Sequence, residues 1–560
     1  MFDLKIRNAL IVDGSGNPAY SGDVGINAGR ISAIGPKLPG DAHSTIDAGG
    51  KAVAPGFIDP HTHFDAQLLW DGQARPALTH GITTIVPGNC SLSLAPLKAK
   101  HRMKLVGMFN QIEEMPHIAF EQGVEWNWET FDEYLKRISQ NLAINVAPLV
   151  GHSLLRLWVM EDAAMQRTAS ESEITQMMDL LRQALDAGAV GLSTSFVDMD
   201  ETLQPVPSRY ADIHELESLC SVLGDYGRVL QIVPEFYDGD LTVARVDQLA
   251  DLSRKYNIPT TFSPLFVNSD NSDAVDKVMA RVNEQFATGA RVWPQVQTRP
   301  IDISFSFAVP SLLFIRFPGW YQIMRFETHD GIVAAFSDPA RREALIAEAA
   351  RLAPLWPRLI LRQVNSAENQ PLVGKTLAEI AEIRNSTPVD VMIDLSLEEN
   401  LDAHFLAADM GHNDNVKVAS LLNADNVHIG ASDGGAHILS FSTYGDTGYL
   451  FSNFVRDQQA MSLETAVRKL TLETAEIWGI PERGLLQEGY VADIAIFDPN
   501  TIARGAEYYV QDVPGDGSRY VRDSIGVDTV IVGGEVAWSA SDGYTSAARG
   551  AILPGAEQRA

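Results

Sequence analysis

Apolar and polar positions alternate along the first fifty or so residues. "FDLKIRNALIVDG" (2–14) and "GDVGINAGRISAIG" (22–35) read as short strands separated by Gly and Asn-Ala-Gly turns. "GYVADIAIFDP" (489–499) and "DTVIVGGEVAWS" (528–539) carry the same texture at the other end. Two β-rich ends around a different middle predict one small β-sandwich closed by both termini, residues 1–56 and 480–560.

The middle changes period. In "SESEITQMMDLLRQALDAG" (170–188), Ile174, Met177, Met178, Leu181, Ala184 and Leu185 recur at helical spacing. Ser170 and Glu173 form a capping box, and Gly188 suits the C-terminal stop. A strand pattern, "AVGLSTSF", follows directly. The helix-then-strand rhythm recurs, with strands at "GFIDPHTH", "GITTIVPGNC", "AINVAPLVGH", "AVGLSTSF", "RVLQIVPEF", "IPTTFSPL", "ARVWPQV" and "NVHIGASDGGAH". Eight strands with intervening helices predict an α/β fold, a (β/α)8 TIM-type barrel over residues 57–479. The span exceeds a typical barrel, so an insertion is expected at about 300–424. It contains the aromatic run "ISFSFAVPSLLFIRFPGWY" (303–321), read as a lid or acyl-binding wall over the rim, or as a dimer interface.

Composition narrows the function. The chain has 560 residues, 45% apolar and 21% charged, as in ordinary globular proteins. A formal charge of −29 argues against nucleic acid or anionic membrane as partner, because both need a basic face. No apolar run approaches membrane-spanning length, and the N-terminus carries no signal-peptide pattern. Two cysteines exclude a disulfide scaffold and fit a reducing cytosol, so a cytoplasmic location is expected. The partner these features leave is a small molecule, with self-association open.

Candidate chemistry clusters at strand tips. His61 and His63 sit two apart at the end of the first barrel strand, so they face the same way. Imidazole pairs at that rim suit zinc. Cys90, in "PGNCSLSLAP", ends the second strand and reads either as a small packed residue or as a thiolate ligand. Cys220, in the helical stretch "IHELESLCSVLGDYG", reads as core. Asp433 follows the last strand, which neighbours the first in a closed barrel. It could hold a metal and take the proton of a water whose pKa zinc brings to about 7. The turn-rich Ser-Asp-Gly-Gly also suits an Asx turn.

Taken together, "PGFIDPHTH", the "SD" at the last strand and "RGLLQEGYVADIAIFDP" resemble the amidohydrolase superfamily. "GNCSLSLAP" and "LVGHSLLR" (149–156) look like its D-aminoacylase branch, the N-acyl-D-amino-acid deacylases. The resemblance implies hydrolysis of an amide C–N bond in an N-acyl-D-amino acid. It implies His61, His63, Cys90 and Asp433 as metal ligands, with Asp433 also as general base and then general acid.

The branch also uses histidines at the tips of strands five and six. Here those positions fall at Val233 or a neighbour, and at Ser263 or Pro264. Three substitutions are open. Glu235 could present a carboxylate, or His152 could enter the shell or bind substrate. In the third, only a His61, His63, Asp433 site remains, with Cys90 at its edge or unused. The last is preferred; it predicts one zinc, with two as the alternative. His437 could line the pocket, and Arg299 could receive a substrate carboxylate as a bidentate donor. His404 and His412 read as structural or solvent-facing. A lactone, a cyclic amide or a carbamate as the bond cleaved, and a ligand-binding member without catalysis, remain alternative readings.

Overall fold

The computed structural model describes residues 1–267, 272–314, 317–430 and 432–553. Ile315 and Arg316 of the aromatic run and Ala431 of "GASDGGAH" lie outside the described residues. The fold is mixed α/β. Each of the eight segments read as a barrel strand contains β structure, and these strands are buried along nearly their whole length because both of their faces are covered.

Phe57–Asp59, Ile82–Ile85 and Asn145–Val146 form one parallel arc. Leu149–Gly151, Gly191–Ser195, Val229–Val233, Thr260–Phe262, Val292–Val296 and His428–Ile429 form a second parallel arc in chain order. The arcs are joined along the third segment, where Leu149 N donates to Pro87 O and Val190 N to Pro148 O, both at 2.9 Å. At the other margin Thr62 makes a parallel bridge to Gly434, and His63 N donates to Gly434 O at 2.8 Å. Residues just past the first and last strands are thereby brought side by side.

The helix Glu171–Ala187 starts as its sequence requires. Ser170 and Glu173 form a reciprocal capping box, and Gly188 ends it at φ +122°. Its buried face is Ile174, Met177, Leu181, Ala184 and Leu185. Cys220 is fully buried on the helix Ile213–Tyr226. No helix among the described residues is long and apolar enough to cross a membrane.

Strands from both ends of the chain share one nine-stranded sheet, in which Ile494–Phe497 pairs antiparallel with Ala52–Pro55. The hairpin Ala503–Val513 with Gly517–Ile525 leaves that sheet and clasps the segment after Asp433. Tyr520 N donates to Ile438 O at 3.0 Å, and Ser442 N to Glu507 Oε2 at 3.1 Å.

The insertion has its own three-stranded antiparallel sheet, Ile301–Phe305, His404–Gly411 and Ile360–Gln363. It also has its own core, and this corrects the reading of Phe305, Phe307 and Phe314 as an acyl-binding wall. All three are fully buried and packed on one another and on Trp320, Phe336, Trp356 and Phe405. An aromatic run this dense satisfies itself by closing a local core, because no solvent-facing arrangement recovers the same burial.

Candidate metal centre

His61 and His63 lie just past the strand Phe57–Asp59. Thr62 between them is held on both sides, through its N–H to Val86 O at 3.1 Å and its bridge to Gly434. With Thr62 turned one way, both imidazoles turn the other, and their ring centroids are 5.4 Å apart. Cys90 and Ser91 follow the second strand with φ of +56° and +65°, a conformation side chains rarely adopt. Hydrogen bonds enforce it: Ser91 N donates to Ser193 Oγ at 3.1 Å, and the Ser91 and Ser153 hydroxyls meet at 2.8 Å. Asp433 is also left-handed, at φ +57°. Its neighbour Ser432 is tied by its hydroxyl to the Asp59 carboxylate at 2.7 and 2.8 Å and to Gly434 N at 3.1 Å. Backbone strain at Cys90 and Asp433 converges on one point, as it does at functional sites.

Three donor side chains, His61, His63 and Cys90, meet there with their ligand atoms all within 4.8 Å of one another, and Asp433 stands beside the two histidines. Cys90 Sγ is 3.5 Å from His61 Nε2 and 3.7 Å from His63 Nε2. Asp433 Oδ1 is 3.2 Å from His61 Nε2 and 3.9 Å from His63 Nε2. Cys90 is therefore not at the edge of a His61, His63, Asp433 site, as the favoured sequence reading had it. It stands as close to both imidazoles as Asp433 does, because the left-handed turn at residues 90–91 swings the thiol inward. The two histidines are 1% exposed, whereas the Asp433 side chain keeps 23%, so the centre is open on the Asp433 side.

The chemistry of this set asks for a cation. His61 Nδ1 faces Gln295 Oε1 at 3.2 Å, and Gln295 Nε2 donates to Thr261 Oγ1 at 3.1 Å. With the amide oxygen presented to His61, Nδ1 carries the proton and Nε2 a bare lone pair. That lone pair points at a carboxylate oxygen and a sulfur. Burial pushes His61 down to about 3 and His63 also well down, so the contacts with Asp433 are not salt bridges. Burial raises Asp433 to about 7 despite the opposing Arg299 charge. It raises the Cys90 thiol as well, with Glu113, Asp198 and Asp433 adding to the shift. Glu113 is held up by burial and then by Asp433 and Asp198, and Asp198 by burial to about 6. A divalent cation would oppose the upward shifts of Asp433, Cys90, Glu113 and Asp198, and it would keep His61 and His63 neutral. Donors about 2.0–2.3 Å from a tetrahedral zinc stand about 3.3–3.7 Å apart. Three of the four measured separations lie within or close to that range; the fourth, 3.9 Å, is slightly wide. The residues fit the metal.

The other candidates are placed differently. His152 is buried with Nδ1 on Thr194 Oγ1 at 2.9 Å and Nε2 on Glu215 Oε1 at 2.8 Å, so neither nitrogen is available as a ligand. It lines a polar cavity of about 370 Å³ together with Arg209, Glu235 and Arg245. Glu235 is paired with Arg245 at 2.7 and 3.2 Å. Arg299 is 1% exposed and engaged with Asp446 Oδ2 at 2.8 Å and Ser432 O at 3.0 Å. It buttresses the Asp433 turn. His437 is half-buried, stacked on Phe441 at 5.0 Å and pushed down by desolvation to about 4; its charge would weigh on both His61 and His63. His404 is buried between Tyr520 and Asp402, and His412 accepts from Val267 N at 3.3 Å. Val233 and Ser263, where the resemblance expects histidines, are buried and offer no imidazole.

Glu113 and Gln295 escaped sequence reasoning. Gln295 left a signal, a polar residue inside the apolar strand "ARVWPQV". Glu113 left none, because it follows the helix Arg102–Ile112 and reaches His63 only through the tertiary fold.

The chain matches the amidohydrolase family over residues 44–287 and 332–537. It belongs to that family. It is 28% identical to a D-aminoacylase of Alcaligenes xylosoxydans xylosoxydans over 99% of this chain and 97% of the relative. A D-aminoacylase structure concerned with a binuclear metal centre, one-metal activation and second-metal attenuation matches at TM-score 0.66 and 26% identity, covering 99% of this chain and all of that one. The N-acyl-D-glutamate deacylase of Bordetella bronchiseptica, complexed with zinc and a phosphonate mimic of the tetrahedral intermediate, matches at TM-score 0.65 and 26% identity over 99% of each chain. This amidohydrolase is accordingly a hydrolase of carbon–nitrogen bonds other than peptide bonds, and its relatives act on small N-acyl amino acids.

Proposed function

We propose that this amidohydrolase cleaves the amide bond of an N-acyl-D-amino acid with a single zinc ion. His61, His63 and Cys90 would hold the ion, and Asp433 would serve as proton shuttle. The observation that carries this reading is the convergence on His61 Nε2 of the Cys90 sulfur, at 3.5 Å, and an Asp433 carboxylate oxygen, at 3.2 Å. The absence of imidazole at Val233 and Ser263 supports one metal rather than two. The two parallel arcs are proposed to close as a (β/α)8 barrel over residues 57–479, interrupted by the 300–424 insertion, with residues 1–56 and 480–560 as the second domain.

When bound, zinc supplies Lewis acidity, polarising the scissile carbonyl and bringing the pKa of water to about 7. The side chains do the rest. Asp433 Oδ1 faces both histidines, which leaves its second oxygen for proton transfer. Water oxygen bonds to the acyl carbon as Asp433 takes a proton. The C–N bond then breaks as Asp433 returns that proton to the leaving nitrogen, giving a carboxylate and a free amine. Arg299 holds the turn that aims the carboxylate.

The test is metal content of protein purified without chelator, together with hydrolysis of N-acyl-D- and N-acyl-L-amino acids. About one zinc per chain is expected, lost in Cys90→Ala and His61→Ala. Asp433→Asn is expected to be inactive. Two tightly held zincs would refute the single-metal centre. Zinc retained in Cys90→Ala would remove the thiolate from the shell. Turnover of lactones or cyclic amides without N-acyl-amino acids would refute the bond assignment.

A further inference from the structure

Both metal-facing histidines have a second nitrogen, and each is met by a buried acceptor that no part of the proposed reaction uses. We infer that Glu113 and Gln295 are positioning residues that lock His63 and His61 in the tautomer with Nε2 bare, so that the centre is built for metal before metal arrives. The inference rests on the metal reading of the site.

On the His61 side the device is a relay of three side chains. Thr261, Gln295 and His61 are all buried; Thr261 Oγ1 accepts from the Gln295 amide nitrogen, and the amide oxygen faces Nδ1. On the His63 side, Glu113 Oε1 lies 3.1 Å from Nδ1, off the line of an ideal hydrogen bond. Both atoms are buried with no other hydrogen-bond partner among the described residues, so each is the group the other can satisfy. Glu113 is also anchored. The next residue, Glu114, turns left-handed at φ +56° and accepts from Ser440 Oγ at 2.5 Å. Ser440 lies in the segment that follows Asp433, so one two-residue step ties the His63 partner to the strand-eight side of the centre. A carboxylate or amide acceptor on the far nitrogen of a metal-binding imidazole fixes its orientation, and losing that acceptor typically weakens metal binding about 10- to 100-fold.

The experiment measures Zn²⁺ affinity of the full-length metal-free protein by competition with a chromophoric chelator. The thermal midpoint of the same metal-free samples is recorded alongside. Glu113→Leu and Gln295→Leu are expected to bind zinc about 10- to 100-fold more weakly. Gln295→Glu, which restores an acceptor to His61 Nδ1, is expected to stay within about threefold of wild type, on the same second-shell reasoning. Should Glu113→Leu fail to fold, Glu113→Met keeps the length of the side chain without an oxygen acceptor and is expected to bind zinc about 10- to 100-fold more weakly. A merely structural role would lower the thermal midpoint and leave zinc affinity unmoved; folded leucine variants that match wild-type affinity overturn the inference. Wild type that takes up no zinc overturns the metal reading itself, and this inference with it.

Discussion

Replacing Arg299 with leucine removes a guanidinium that is 1% exposed and leaves the Asp446 carboxylate, 15% exposed, without its cation. Removing one partner of a buried ion pair costs about 3–5 kcal/mol, most of it from the charge left behind. Asp446 keeps hydrogen bonds from Thr298 N and Oγ1, both at 3.2 Å, and some contact with solvent, which places the expected loss near the lower end, about 3 kcal/mol. Asp446→Leu strands the more deeply buried arginine and is expected to cost at least as much. The double variant strands neither charge, so its loss should fall short of the sum by about 2–3 kcal/mol. Urea-induced unfolding of the four proteins gives the cycle, and steady-state kinetics on an N-acyl-amino acid run in parallel. The rival reading makes Arg299 the receiver of a substrate carboxylate. An unchanged unfolding midpoint with KM raised tenfold or more at constant kcat would support that rival, and the internal-buttress reasoning would be wrong.

Phe307 is fully buried, with ring centroids 4.9 Å from Phe336, 5.3 Å from Phe314 and 5.4 Å from Trp320. Phe307→Ala should cost about 3–5 kcal/mol, read by thermal unfolding. The ratio of KM for bulky and acetylated substrates should stay the same; a selective rise for the bulky ones would restore the wall reading. His428 accepts from Trp478 Nε1 at 3.1 Å and is pushed by burial down to about 3. The unfolded state therefore binds a proton between pH 6.5 and about 3 that the native state refuses, and stability falls as pH drops through that window. At pH 5 the penalty is about 2 kcal/mol. His428→Gln escapes it, so its stability deficit relative to wild type should narrow by about that amount between pH 7.5 and 5; a deficit independent of pH would show that His428 is not the group that titrates.

Much of the scaffold was legible because its signals are local. Helical and strand periodicities need only a few residues of context, so each of the eight strand segments and the capped helix Glu171–Ala187 could be read from its own stretch of chain. The two-residue spacing of His61 and His63 also carried its meaning locally, since alternate side chains share a face. Cys90 and Asp433 stood out by their positions after strands.

Tertiary structure decided everything that depends on a partner far along the chain. Whether Cys90 joins the histidines turns on a left-handed turn held by Ser193 and Ser153. Arg299, His152 and Glu235 looked available because no neighbour in sequence claims them; Asp446, Glu215 and Arg245 claim them in space. Glu113 and Gln295 were silent or nearly so for the converse reason: their partners are imidazoles 50 and 234 positions away. The aromatic run at 303–321 shows the same limit. Its burial was predictable, but whether it faced a substrate, another subunit or itself depended on the helices and the small sheet that the insertion folds around it. Periodicity is a property of the chain, whereas hydrogen-bond satisfaction and burial are properties of the packed molecule, and the chemistry of this centre is written in the second.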